Sequence, residues 1–194
     1  MAADAKQAAA ERICETLRRN GHRALLASQA SGRPRRIIAV SRSGNFPEGV
    51  AHIRADLLNP ADIRVLPDAP NIIYLVGRKF GSTGNESLTW ATNAIVPARV
   101  GERFASSRIV ALSTGNVYPF VPVDSGGAVE STVPAPVGEY AQSALGRERM
   151  FEYASHTYGT RTVLIRLNYA NELRYGVLTD IGRKRLTRVP GTAV

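Results

Sequence analysis

The sequence predicts an α/β fold, a doubly wound parallel sheet with flanking helices. Two observations lead to it. Short apolar runs rich in β-branched residues recur along the chain: RIIAVS (36–41), VAHIRA (50–55), NIIYLVG (71–77), RIVALS (108–113) and TVLIRL (162–167). Longer segments with helical spacing lie between them, and strands that alternate with helices pair in parallel through crossover connections. With 194 residues, 44% of them hydrophobic, one domain can bury a core of its own.

The elements follow in order. From residue 2 to about residue 19 the chain is alanine-rich, Ala9, Ile13 and Leu17 recur every fourth residue, and Asn20 and Gly21 supply a stop, so a first helix is expected. HRALLAS (22–28) is apolar enough for an irregular or antiparallel strand. RIIAVS ends at Arg42 before a Ser-Gly-Asn turn, VAHIRA alternates and stops at Asp56, and NIIYLVG is apolar throughout and ends on glycine. A helix is expected over 86–104, with Leu88, Ala91, Ile95 and Val96 at core spacing. A second covers 139–158, with Tyr140, Leu145, Met150 and Phe151. The tail GRKRLTR (182–188) reads as a solvated basic terminus. The expected division is an N-terminal helix and connector (1–27), a sheet domain (28–182) and the basic tail (183–194).

Composition excludes several classes. Cys14 is the only cysteine and His22, His52 and His156 stand far apart, so neither an internal disulfide nor a zinc site is expected. The net charge of +9 comes mostly from arginines scattered along the chain, the lysines being Lys6, Lys79 and Lys184. Aromatic residues do not interleave with the basic ones as stacking platforms would, so no specific nucleic-acid partner is expected. No run approaches the ~18 uninterrupted apolar residues of a membrane span, and the first fifteen residues are too charged for a signal-peptide core. The expectation is a cytoplasmic protein without a membrane partner.

In doubly wound sheets, ligands bind beyond the carboxyl ends of the strands. Here those ends carry Arg42, Asp56, Gly77 and Ser113-Thr114-Gly115-Asn116. Each has a plain structural use as a turn residue or helix cap; together, at successive strand ends, they point to a site.

The ordered set of Asp56 after a strand, TWATNAIVPARVGERFASSRIVALSTGNVYP (89–119) and a tyrosine opening the next long helix resembles the extended short-chain dehydrogenase/reductases, in particular the NAD-dependent epimerase/dehydratase family. The resemblance runs from about Arg36 to Gly182. It implies a Rossmann-like sheet and redox or isomerase chemistry on a sugar or other hydroxyl or carbonyl substrate. By the same resemblance Thr114 hydrogen-bonds the substrate oxygen, Tyr140 transfers its proton and Asn93 orders the site. Asp56 and Leu57 match the pair at the adenine, and Val76 and Gly77 the segment beside ribose and nicotinamide. Arg42 stands where an acidic residue selects NAD and a basic one tolerates a 2′-phosphate, so the cofactor is NAD or NADP with a lean to NADP. A small-molecule substrate and a possible homodimer complete the expectation.

Three departures accompany the match. No strand with a glycine-rich turn precedes Arg36, so the family's pyrophosphate site is missing or replaced. The lysine expected four residues after Tyr140 is Ala144. A free tyrosine ionises near 10, with only about one molecule in a thousand ionised at neutral pH, and a nearby cation favours the charged form. Arg147 and Lys79 are the candidates to supply that charge. The segment after Leu167 is short for a substrate lobe. The expectation is a chain truncated at both ends with weak or no activity, or a non-catalytic relative serving as a binding or scaffold domain.

Overall fold

The computed structural model describes residues 36–168 apart from 45, 47, 80–82 and 123. The expected helix over 2–19, the HRALLAS strand and the basic tail lie outside the described residues.

Strand β1 (Ile37–Ser41) pairs in parallel with β2 (Val50–Arg54), with Ile37 opposite Val50. Strand β3 (Asn71–Tyr74) pairs in parallel with β4 (Arg108–Thr114), which pairs in parallel with β5 (Arg161–Leu167). The described strands thus form two parallel sets, β1-β2 and β3-β4-β5. Val40, Ile53, Ile72 and Leu164 pack against a shared core of Ile63, Leu66, Tyr74, Val96, Val100, Ile109, Ala111 and Phe151. Among the described residues Phe151 is the largest wholly buried side chain, and it meets Tyr74 edge-on at 5.1 Å between centroids. The parallel α/β arrangement expected from the strand–helix alternation is the one present.

Helix α1 (Pro60–Arg64) was not expected from periodicity, being a single turn with one buried residue, Ile63. Its signal is chemical. Asn59 caps it, Oδ1 accepting from the Ala61 N–H at 3.1 Å, and Pro60 occupies the first helical position, where no N–H is needed.

The helix expected over 86–104 is present in three parts: α2 (Glu86–Trp90), a π-helical turn (Ala91–Ile95) and α3 (Val96–Arg103). Pro97 accounts for the wide turn, since its ring would press on the carbonyl four residues back, that of Asn93, and it has no N–H to offer it. The buried face lies one residue on from the expected one. Leu88 and Ile95, expected in the core, are exposed, and the buried set is Thr89, Asn93, Val96, Pro97, Val100 and Gly101.

Helix α4 (Glu139–Tyr158) has the expected bounds and ends at Gly159, whose φ of 72° is the left-handed conformation that closes helices. Of its expected core residues, Phe151 is buried while Tyr140, Leu145 and Met150 are half-buried. Its inner face is small or polar: Ala141, Ser143, Ala144, Arg147, Glu148 and Ala154. Strand β3 stops at Tyr74, three residues short of the expected Gly77, because the chain beyond it leaves the sheet and bonds to the π turn. Val76 and Gly77 therefore lie in the segment after the strand.

Helices α3 and α4 cross at Gly101, where an added Cβ would lie 2.6 Å from the Ala154 Cβ. Thr160 Oγ1 donates to the Gly101 carbonyl at 3.0 Å and fixes the same spot. Gly101→Ala is therefore expected to lower stability by about 1–3 kcal/mol, measured by urea unfolding; an unchanged midpoint would show that the crossing relaxes freely.

Candidate functional site

Because the described strands are parallel within each set, the carboxyl ends of each set share an edge, and most of the predicted residues follow those ends. Arg42, exposed, follows β1, and Asp56, half-buried, follows β2. The loop after β2 is organised by side chains. Asp56 Oδ1 accepts from the Leu58 N–H at 3.0 Å, the Asp56 N–H donates to Asp62 Oδ2 at 2.8 Å, and Arg99 Nη1 donates to the Leu58 carbonyl at 2.9 Å. Leu57 and Val76 both pack against the core. Beside Arg42, Ser41 Oγ donates to the Ser43 carbonyl at 2.8 Å and meets His52 Nε2 at 3.0 Å.

The centre of the site is the Asn93 side chain, wholly buried in the π turn. Its Oδ1 accepts from the Arg78 N–H at 2.8 Å and from Arg147 Nη2 at 2.9 Å. Its Nδ2 donates to the Arg78 carbonyl at 3.0 Å and to Ser143 Oγ at 2.9 Å. Both amide hydrogens and both lone pairs are thereby used, which also fixes which way the amide faces. Ser143 Oγ in turn donates to the Tyr140 carbonyl at 3.0 Å, so the first turn of α4 hangs from Asn93.

Tyr140 is half-buried at the head of α4, with Lys79 Nζ 5.7 Å from its ring centroid, within cation–π reach. Trp90 Nε1 donates to Glu139 Oε2 at 2.6 Å and ties α2 to the same helix end. A cavity of about 330 Å³ opens here, lined by Thr83, Glu86, Asn116, Gly138, Glu139 and Tyr140. Thr114 ends β4 next to it: its Oγ1 accepts from the Asn116 N–H at 3.2 Å and caps the 3₁₀ turn Gly115–Val117. Asn116 thus joins the Thr114 turn to the cavity that Tyr140 lines. A larger cavity of about 500 Å³ lies at the opposite edge of the sheet, by Asp68, Pro70, Arg103 and Phe104, and holds none of the predicted residues. Its two charged side chains are paired with each other, Arg103 Nη1 to Asp68 Oδ1 at 2.7 Å.

A second buried network was not foreseen. Glu148, with no exposed surface, accepts a short hydrogen bond from Ser113 Oγ and a forked pair from Arg166, whose Nη2 lies 2.7 Å from Oε2. Arg166 also stacks over the Tyr118 ring at 4.8 Å. Its hydrogen bonds to Glu148 hold the guanidinium pKa above even its ordinary range, against a smaller opposing effect of burial. The network locks the ends of β4 and β5 and the turn after Thr114 to α4. The available signal was the pair of charged residues, Arg147 and Glu148, on the helical face that also carries Ser143 and Ala144. Among the described residues no cluster of His, Cys, Asp and Glu could hold a metal ion, and no helix is long and apolar enough to cross a membrane.

Comparison with known proteins gives one family and one fold. The model of the NAD-dependent epimerase/dehydratase family matches residues 9–170. No curated protein matches the sequence significantly. Among solved structures, a double mutant of the dTDP-glucose 4,6-dehydratase DesIV from Streptomyces venezuelae, with NAD bound, superposes with a TM-score of 0.66 at 21% identity over 78% of this chain and 52% of that one. The UDP-glucuronic acid 4-epimerase from Bacillus cereus, in complex with NAD, gives 0.62 at 20% identity over 77% and 52%. RMD from Pseudomonas aeruginosa, complexed with NADPH, gives 0.56 at 22% over 65% and 48%. At such identities the likeness is one of fold, and the chain spans about half the length of these structures.

The Glu148–Arg166 pair yields a contrast in stability. Arg166→Met strands a buried carboxylate and is expected to cost about 3 kcal/mol, the lower end for a buried pair, because the Arg166 side chain is 21% exposed. Arg149→Met breaks only the surface pair with Glu152 and should cost less than about 1 kcal/mol. Urea unfolding of both variants at neutral pH checks the order; equal losses would contradict it.

Proposed function

Since the chain belongs to the NAD-dependent epimerase/dehydratase family, we infer that its site serves nicotinamide-dependent redox chemistry at a hydroxyl or carbonyl carbon, with Tyr140 moving the proton. The observation that carries this reading is the setting of Tyr140. It heads α4 on the rim of the cavity, lies beside Lys79, and is tied through Ser143 to the saturated Asn93 amide. General acid–base work needs such a positioned group more than it needs any particular strand.

The residues fit a dinucleotide at two places. Asp56 and Leu57 would meet the adenine, with Arg42 beside the ribose, where a guanidinium suits a 2′-phosphate. Val76 and Gly77 would run beside the nicotinamide ribose, and they lie on the same sheet edge as Thr114. The cofactor, when bound, supplies or accepts the hydride. In the oxidising direction Thr114 Oγ1 orients the substrate hydroxyl and Tyr140 takes its proton as the carbonyl forms; reduction returns that proton. Asn93 positions the segment on which Lys79 is carried. The related structures carry NAD or NADPH, and two are named for nucleotide-sugar enzymes, which makes a nucleotide sugar the first substrate class to try.

A second reading is a non-catalytic binding domain. Ala144 favours it, because the methyl group at that buried position offers no charge to the phenol. The two readings separate on binding and turnover.

NADPH is expected to raise the melting temperature and to gain fluorescence on binding, more than NADH at equal millimolar concentration, and Arg42→Glu to reverse the order. With UDP-glucuronic acid or dTDP-glucose as substrate, any turnover should vanish in Tyr140→Phe. No response to either cofactor would refute the redox reading, and binding without turnover would leave the scaffold reading standing.

A further inference from the structure

Building on the proton-transfer reading of Tyr140, we propose that Arg147 is the cation that serves this tyrosine in place of the lysine absent at Ala144. Tyr140 and Arg147 are seven residues apart on α4, about two turns, so they project from one face. Helical side chains lean toward the N-terminus, which carries the Arg147 head back over the turn where Ala144 presents only a methyl group. Ala144 is wholly buried and Arg147 is 6% exposed.

The guanidinium is held on three sides. Nη1 donates to the Leu112 carbonyl at 2.8 Å and Nη2 to Asn93 Oδ1 at 2.9 Å. Nη2 also packs on the Gly77 backbone so closely that a Cβ there would overlap it. None of these partners is a carboxylate. A buried cation is costly unless a negative charge comes within reach. Burial accordingly draws the Arg147 pKa down, while Tyr74, Tyr140 and Glu148, in that order, favour its charge.

Those three groups differ in what they can give. Tyr74 is buried, and burial pushes its phenol pKa above its ordinary range. The Glu148 carboxylate is engaged by Ser113 and Arg166. Tyr140 is half-buried on the cavity rim, where a phenolate would complete the charge balance. The charged groups around the tyrosine are Lys79 over the ring, Glu86 and Glu139 on the cavity wall and, two turns along the same helix, Arg147. Lys79 is exposed and its field is screened by water and salt; Arg147 acts through protein, where charges are felt more strongly. Arg147 is thus a positioning residue for Asn93 and Gly77 and an electrostatic one for Tyr140.

The test is NMR titration of the full chain labelled at tyrosine Cζ, between pH 7 and 12, with the Tyr140 signal assigned by its loss in Tyr140→Phe. In Arg147→Met the Tyr140 midpoint should rise by about one pH unit or more, the effect of removing a nearby opposite charge. In Arg147→Lys, which keeps a charge, it should stay nearer the parent value than in Arg147→Met. If Arg147→Met does not fold, Ala144→Lys/Arg147→Met carries the comparison, and a midpoint at or below that of the parent supports the proposal. A folded Arg147→Met with an unmoved midpoint, a double variant whose midpoint rises, or a Lys79→Met whose rise equals that of Arg147→Met would overturn it. The titration needs no cofactor, so its outcome is independent of whether NADPH binds.

Discussion

The side-chain amide of Asn93 is the interaction on which the rest of the site depends. One wholly buried group makes all four hydrogen bonds open to it, to both backbone groups of Arg78, to Ser143 and to Arg147. The four bonds reach three parts of the chain: the segment after β3, the first turn of α4 and the inner face of that helix two turns on. In a low-dielectric interior, leaving any of these partners unmade would cost about 1–3 kcal/mol, so the three pieces are held in one arrangement. The π turn carries the amide, and Asn93 lies on the buried face with Thr89, Val96 and Val100, while Leu88 and Ile95 lie on the outside.

The second constraint lies one strand further on. Ser113, Glu148 and Arg166 bind the ends of β4 and β5 to α4, and Arg166 continues onto the Tyr118 ring beyond the turn that Thr114 caps. Helix α4 therefore carries two buried charged residues with different duties. Glu148 is neutralised by a forked guanidinium and serves the frame. Arg147 has no carboxylate among its hydrogen-bond partners, the Leu112 carbonyl and the Asn93 amide, and is the one proposed to serve the tyrosine.

Much of the frame was legible in the sequence because the signals were local. Runs such as RIIAVS and TVLIRL read as strands from β-branched residues alone, and α4 has the bounds that the helical spacing over 139–158 predicts. What was hidden required tertiary contacts. Leu88 and Ile95 have the same spacing as the buried Thr89 and Val96, so the period alone did not tell the two faces apart, and the π turn showed only in Pro97. Helix α1 is too short for periodicity and shows only in Asn59-Pro60. The segment after Tyr74 is as apolar as a strand, yet Asn93 draws it away from the sheet. At the site, Asn93, Thr114 and Tyr140 could be placed through their order along the chain. Ser143, Glu148 and Arg166 could not, because a polar residue on a helix or strand reads as a surface residue until its partner is known.

The central claim, a fully bonded Asn93 amide that fixes the segment bearing Lys79 and the head of α4, can be tested directly by NMR of the Asn93 side-chain NH₂ group. The account predicts two well-separated proton signals, exchanging with solvent far more slowly than those of the exposed Asn59 and Asn116, since each hydrogen is bonded to a separate partner in the interior. A rapidly exchanging or averaged pair would contradict it and would remove the physical basis for the arrangement of Tyr140, Lys79 and Arg147.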